Sequence, residues 1–395
     1  MPKWCRVQQP WRKWDIEALR KNLGVYVHIP FCLARCGYCD FLTYGAERPS
    51  GLDFAPYHDT LLSEITRRGE WVSRHYGSVG RVVDTVFIGG GTPTCQQPEN
   101  LCEQIKAIRR SFNVAPDSEF TVEANPDTLT PDYVARLAKA GVNRLSVGIQ
   151  STQTRTLRFM DRTHRWDDIL PVLQTLRNGP IKRFSFDLIY GVPGQTTAML
   201  KESIQRLLSL GPEHISAYEL TCEEGTPYHR WSAMFAGQLA TPEQVIRQRR
   251  VITRALAGRG LYRYEVSNYA RPGAECRHNL RYWHGGDYIG LGLGAASRIG
   301  TEVINNPREV AEYQVRVDSA GSAGDPLVVA AGDVAPGHSP PADTFMQLRT
   351  RLGMEHPPSL LPQEWFRNGW VRHSHGRLEV TSAGLDFADL LSREL

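Results

Sequence analysis

The stretch GVYVHIPFCLARCGYCDF, residues 24–41, places Cys32, Cys36 and Cys39 directly after a short β-rich run. These are three of the chain's eight cysteines, at C-x3-C-x2-C spacing. Pro30 before them and Gly37 among them put the thiols on a loop rather than along one face of a helix. Three thiols leave a tetrahedral site one ligand short. A structural zinc would want four ligands, with His28 or Asp40 completing the set. An iron–sulfur cube held by three cysteines keeps one iron without a protein ligand, whereas electron-transfer clusters normally use four thiolates. On this second reading the open iron is a place for substrate or cofactor chemistry.

Outward from the cysteine loop, apolar runs alternate with helical patterns. GVYVHIP (24–30) is followed by FAPYHDTLLSEITRRGEWV, VDTVFIGGG (83–91) by ENLCEQIKAIRRSF, and EFTVEANP (119–126) by PDYVARLAKAG. NRLSVGIQS (143–151) precedes TRTLRFM and WDDILPVLQTLRN, and RFSFDLIYG (183–191) precedes TTAMLKESIQRLLSL. EHISAYEL (213–220) precedes PEQVIRQRRVITRALAGRG, which makes six βα units. Runs such as VDTVFI and RFSFDLI are apolar nearly throughout, as parallel strands covered on both faces must be. Polar and Gly-rich residues gather after each strand, where a barrel forms its active site. Six units predict an α/β fold, a partial (β/α)6 TIM-like barrel with a smaller C-terminal α+β domain.

The expected organisation is an N-terminal extension (1–23), the core barrel (24–258), a barrel-closing aromatic and Gly-rich segment (259–316), a flexible loop or linker (317–343) and a small C-terminal domain (344–395). The linker reading rests on the small-residue and proline content of VDSAGSAGDPLVVAAGDVAPGHSPPAD. The last segment reads as helices around a short strand pair, an α+β or winged-helix-like module.

Hydrophobic residues at 41% and charged residues at 22% are ordinary globular values, and no run reaches the roughly 18 apolar residues that cross a bilayer. The start has no apolar core or small-residue cleavage site, so the expectation is a cytoplasmic protein whose clustered cysteines serve a metal or catalysis rather than disulfides. The first 21 residues hold six Lys or Arg against Asp15 and Glu17, which accounts for the whole net charge of +4. A neutral body argues against nucleic acid as a partner. Trp4, Trp11 and Trp14 among those basic residues suit a membrane surface or partner contact, or simply a solvated extension.

Gly89, Gly90 and Gly91, followed by Thr92 and Pro93, let backbone approach a ligand after a strand. Glu123 ends the third strand, where a carboxylate can accept bonds from an ammonium or ribose hydroxyls. GLGLGAAS (290–297) lies after the βα series without the context of a dinucleotide loop, and no phosphate loop of G-x4-G-K-[ST] type is present. CRHNLRYWHGG brings Cys276, His278, Tyr282, Trp283 and His284 together. It reads either as haem-iron ligands with stacking aromatics or as a packed aromatic turn with a hydrogen-bonded histidine.

The C-x3-C-x2-C loop after a first barrel strand resembles the signature of radical S-adenosylmethionine (SAM) enzymes. YVHIPFC, GGGTPT, EANP, NRLSVGIQS, DLIYGVPGQT and RHNLRYW stand in the order found in the oxygen-independent coproporphyrinogen III oxidase-like group, a resemblance covering residues 24 to about 300. It implies a [4Fe-4S] cluster on Cys32, Cys36 and Cys39. SAM would chelate the fourth iron through its amino and carboxylate groups, and the reduced cluster would cleave it to a 5′-deoxyadenosyl radical. It makes Tyr26, Gly90, Gly91, Thr92, Glu123, Gln150, Arg162 and Asp187 the SAM-contacting candidates. In porphyrinogen-oxidising relatives the residues matching Gln150, Arg162 and Asp187 serve a second SAM.

Within the group, true coproporphyrinogen dehydrogenases extend the motif to C-x3-C-x2-C-x-C, and this chain has Phe41 at that place. The departure points to the haem chaperone branch, whose H-N-x-x-Y-W motif, here His278, Tyr282 and Trp283, is implicated in haem handling. Ala296 stands where many relatives carry His in G-A-H-S. Two function classes follow. The preferred one is a haem chaperone with cluster and SAM that passes haem to an acceptor protein, a respiratory one among the candidates, and draws on an electron donor. The other is a radical SAM enzyme, a coproporphyrinogen III dehydrogenase or a methyltransferase.

Overall fold

The computed structural model describes residues 15–77, 81–232, 234, 238–319, the backbone of 334–335, 345–355, 357, 361–374 and 376–393. Six parallel strands form its centre: β1 (Leu23–Ile29), β2 (Val83–Gly90), β3 (Val114–Ala124), β4 (Arg144–Gln150), β5 (Arg183–Tyr190) and β6 (His214–Glu219). They pair in chain order, as the six βα repeats require. The helices between them bury their apolar stripes on the sheet. In the helix Pro98–Ser111, Leu101, Ile105 and Ile108 recur at helical spacing and all are buried. Val86 and Ile88 of β2, Val122 of β3 and Leu145 and Val147 of β4 complete that one core.

The sheet is open, and it is larger than the six repeats. On the far side of β1, Gly24–Val27 pair in parallel with β9 (Tyr288–Leu291), a seventh parallel strand drawn from the Gly-rich tail. Antiparallel β10 (Ala296–Ile299) and β11 (Glu302–Asn305) continue that edge, and Val334–Ala335 pair with β11. At the other edge β6 pairs antiparallel with β8 (Asn268–Ala270), which pairs with β7 (Tyr262–Arg263). The sheet curls, because loops and strand ends from β1 through β6 surround a single cleft. This is the partial barrel that the alternation predicts.

Residues 15–21 correct the expectation of a solvated extension. Asp15 caps the helix Ile16–Lys21 by accepting from the Ala18 amide at 2.9 Å, and Ile16 and Leu19 are buried. Trp4, Trp11 and Trp14 lie outside the described residues, as do positions 320–333 and 336–343 of the expected linker. Near the C-terminus a hairpin of Val371–Ser374 and Arg377–Val380 packs with Leu348, Met354, Trp365, Leu385 and Leu391 in a separate small core. Among the described residues no helix is long and apolar enough to cross a membrane.

Candidate functional site

The cysteine loop is fastened to the end of β1 at several points. Cys32 N donates to the Tyr44 carbonyl at 2.9 Å, Tyr44 N donates to Pro30 O at 2.8 Å, and Cys39 N donates to Cys36 O at 3.1 Å. His28 lies beneath, 2.9 Å from the Tyr26 hydroxyl through Nδ1 and 2.8 Å from Leu42 O through Nε2. Burial lowers its pKa, so the ring is neutral: the tyrosine donates to Nδ1, and Nε2–H holds the Leu42 carbonyl. Both ring nitrogens are spent inside the fold. His28 is therefore not the fourth ligand of a zinc site.

The three thiols line one wall of a cleft of about 360 Å³ at the carboxyl ends of the strands. Gly90, Gly91, Thr92, Glu123, Gln150, Arg162 and Asp187 line it as well. Seven of the eight SAM candidates thus share one cleft with the cysteines. Tyr26 does not reach the wall: it stands one layer down, with its hydroxyl on His28 and its ring centroid 6.5 Å from that of Phe87. Among the described residues no three His, Cys, Asp or Glu side chains converge tightly enough to hold one ion.

Backbone shape at the GGGTPT turn explains its composition. Gly90 takes φ +105°, and a Cβ on Gly91 would lie 2.5 Å from the Phe31 carbonyl oxygen. Gly91 N and Thr92 N instead donate to Ile29 O and Phe31 O at 2.7 and 2.6 Å, which carries the turn alongside the start of the cysteine loop. Across the cleft, Gln150 is held at φ 62° although it is not glycine, and its Oε1 is buried with no protein hydrogen-bond partner among the described residues. Strain and an orphaned acceptor together mark a place prepared for a ligand.

Charge at the site follows from burial. The Cys32 thiol is pushed up to about 11, mainly by burial and further by Cys39 and Cys36. Cys39 is raised by burial as well. At neutral pH these are thiols until a metal makes them thiolates. Glu123 receives Gly90 N–H at 3.2 Å, yet burial, then the facing Asp187, lift its pKa to about 8. Burial also raises Asp187, although Ser146 Oγ donates to it at 3.2 Å. Two carboxylates that disfavour each other's ionisation make a floor suited to an ammonium group or a pair of hydroxyls.

The haem candidates stand elsewhere. Helix Arg277–Trp283 plugs the opposite end of the barrel, where Arg281 pairs with Asp84 at the start of β2 and donates to Asn22 O at 2.7 Å. His278 is fully buried, 3.0 Å from Thr85 Oγ1 and 2.8 Å from Tyr282 OH, and stacked on Phe87. Thr85 and Gly89 are four residues apart on one strand, so ~13 Å separates this floor from the cleft. The indole N–H of Trp283 is buried near Glu265 with no partner at hydrogen-bond distance among the described residues. His284 Nε2 meets Thr350 Oγ1 of the C-terminal segment at 3.2 Å, and Cys276 is sealed against Glu119. GLGLGAAS lies outside the cleft lining and packs behind β1: Leu293 N donates to the Tyr57 hydroxyl, which donates to His28 O.

Sequence reasoning passed over two residues at the cleft. Asn125 of EANP lines it and bonds both Arg162 and Thr92, and Tyr218 at the end of β6 contributes a ring that is 42% exposed. The signal for Asn125 was its place between a strand end and Pro126. Tyr218 had none beyond its strand-end position.

Comparison with known proteins gives a consistent result. Residues 26–207 match the Radical SAM superfamily. Heme chaperone HemW of Mycobacterium tuberculosis is 37% identical over 279 residues, which span 70% of this chain and 70% of that protein. Heme chaperone HemW of Bacillus subtilis is 36% identical over 287 residues, 71% of this chain and 73% of that one. The solved structure of coproporphyrinogen III oxidase (HemN) from Escherichia coli, a radical SAM enzyme, superposes with a TM-score of 0.74 at 23% identity. It covers 96% of this chain and 92% of that one, which shows a shared fold.

Proposed function

The chain belongs to the radical SAM superfamily, in the group of the heme chaperones HemW, and from that membership we propose that it is a haem chaperone carrying a [4Fe-4S] cluster and SAM. The carrying observation is one cleft lined by three thiols, a glycine turn and two carboxylates of raised pKa. When bound, a cluster held by three thiolates supplies one iron that SAM can chelate. Cys32, Cys36 and Cys39 would hold the cluster. The Gly90–Gly91 backbone and Thr92 would face the amino-acid end of SAM, and Glu123 and Asp187 would accept from its amino N–H groups and ribose hydroxyls. Gln150 would turn its free acceptor to the same ligand, while Arg162 and Tyr26 act from the rim and from beneath.

For haem, the family resemblance singles out His278, Tyr282 and Trp283. His278 can reach a haem iron only after its helix leaves the barrel floor, since both ring nitrogens are engaged and the ring is enclosed. Haem loading through it would therefore be coupled to opening of that end, which the Thr350 contact with His284 also closes. The proposed partners are an acceptor protein for haem and an electron donor for the cluster. Phe41, 60% exposed at the cleft, favours this reading over porphyrinogen oxidation, because it stands where dehydrogenases of the group carry a further cysteine.

The deciding experiment is anaerobic incubation of the reconstituted protein with reductant, SAM and coproporphyrinogen III, beside a haem titration. A stoichiometric Soret band, faster amide exchange in the helix Arg277–Trp283 on haem addition, and no turnover to protoporphyrinogen IX are expected. Catalytic turnover would make the protein an oxidase instead. Absence of any stoichiometric band would remove the chaperone reading.

A further inference from the structure

We infer that Asn125 is the positioning residue of a hydrogen-bond relay that joins Cys36 to Cys32 and couples both thiols to whatever occupies the cleft. The inference rests on the reading that these thiols hold the cluster.

The relay is continuous. Arg162 Nη1 donates to Cys36 Sγ at 3.7 Å, and its Nη2 donates to Asn125 Oδ1 and to Gly148 O, both at 2.7 Å. Asn125 Nδ2 donates to Thr92 Oγ1 at 3.1 Å, and the Thr92 hydroxyl donates to Cys32 Sγ at 3.7 Å. Its polarity is fixed by chemistry. A guanidinium offers only donors, so the asparagine oxygen must face it and the amide nitrogen must face Thr92. The threonine oxygen then accepts one bond and has a single proton, which it directs to Cys32 Sγ, with the Cys95 thiol also beside the hydroxyl. Asparagine is the side chain of this size that can accept on one side and donate on the other.

Sequence holds the middle members in place. Asn125 precedes Pro126 and Thr92 precedes Pro93, and a following proline confines both to extended backbone, φ −93° and −133°. The third cysteine receives neither Arg162 nor Thr92 but shares Thr43 with Cys32: Cys39 Sγ meets Thr43 Oγ1 at 3.8 Å, and Arg35 reaches its carbonyl oxygen, not its sulfur. The three thiols are therefore inequivalent.

Hydrogen bonds to a thiolate sulfur stabilise the more negative, reduced state of a cluster and so raise its potential. Thr92, Asn125 and Arg162 also line the cleft. A ligand oxygen, such as a carboxylate, that takes a bond from one of them changes the donors on Cys32 and Cys36 together. Cleft occupancy and cluster potential are coupled through these side chains.

The test is potentiometric titration of the reconstituted cluster, followed by electron paramagnetic resonance. Asn125→Asp keeps the shape but offers Thr92 only an acceptor, so the hydroxyl turns away from Cys32; Thr92→Val removes the same bond. Each should make the reduction equilibrium about tenfold less favourable, 59 mV for one electron. The double variant should match Asn125→Asp alone. Thr92→Ser keeps a hydroxyl that can donate to Cys32 and should stay within about threefold of wild type. An unchanged potential in Asn125→Asp, or additive shifts in the double variant, would overturn the relay. Where Asn125→Asp does not load, equal potentials for Thr92→Val and Thr92→Ser overturn it, and a tenfold gap supports it. Wild-type protein lacking a cluster would sink the cluster reading itself, an outcome distinguishable by iron and sulfide content.

Discussion

His278 Nε2 lies 2.8 Å from the Tyr282 hydroxyl while its Nδ1 lies 3.0 Å from Thr85 Oγ1, so the histidine bridges its own helix to the inner face of β2. Removing the ring leaves the buried Tyr282 hydroxyl without its partner, takes one of two partners from Thr85 and opens space beside Phe87. His278→Ala should therefore cost about 2–4 kcal/mol in stability, measured by denaturant unfolding of the cluster-free protein. A loss under about 0.5 kcal/mol would show that the histidine does not hold the floor and is free for another task.

Cys32→Ser tests the metal assignment without disturbing the fold. The thiol is only partly exposed to the cleft, and the hydrogen bond it accepts from Thr92 is one that a serine can also accept. Stability of the cluster-free protein should change by no more than about 0.5 kcal/mol. Anaerobic iron–sulfur absorbance should nevertheless be lost, because a serine oxygen is a poor substitute for a thiolate on iron. Full iron and sulfide in the variant would sink the assignment.

Gly91→Ala probes how the glycine turn supports the cysteine loop. The added Cβ would sit 2.5 Å from Phe31 O and 2.9 Å from Ile29 O, both backbone atoms that cannot swing aside. Relief requires the turn to part from the loop, breaking the Gly91–Ile29 and Thr92–Phe31 hydrogen bonds. A loss of about 2–4 kcal/mol and weaker cluster retention are expected, read by thermal unfolding and iron content. Wild-type values for both would show that the turn can separate freely.

The barrel was legible because parallel strands buried on both faces must be apolar nearly throughout, and six such runs stand in the chain between polar loops. Less legible were the strands that lack this signature. NVAPDS is polar, so β3 begins at Val114 rather than near Glu119, and YIGL of β9 hides its pairing with β1 among glycines. The cleft residues were legible because they follow strands whose carboxyl ends must share one face. Their counterpart was not: nothing in HNLRYW says which end of a barrel a later helix will plug. That is fixed by long-range partners, Asp84 at the start of β2 and Glu119 midway along β3, with which Arg281 and the His278 amide pair. The relay through Asn125 was equally hidden, since its members come from four separate loops.

Glu123 carries a pH signature. Burial first, and the facing Asp187 second, raise its pKa to about 8 from an ordinary 4.5. Below pH 4.5 the carboxyl is protonated whether the chain is folded or not. Between 4.5 and 8 the folded protein keeps a proton that the unfolded chain has released, so stability falls as pH rises through this window, by at most about 1.4 kcal/mol per pH unit. Above 8 this contribution is gone. Glu123→Gln should remove about one proton from the slope of stability against pH, leaving the part due to Asp187. A cationic ligand reverses the preference: it binds the ionised carboxyl, so binding at pH 7 must expel the proton. The affinity of the cluster-loaded protein for SAM should rise by up to tenfold per pH unit until pH passes about 8, and calorimetry in two buffers of different ionisation enthalpy should register the release. Glu123→Gln should bind more weakly with a flatter profile, and equal proton release from wild type and variant would show that Glu123 does not meet the ligand's charge.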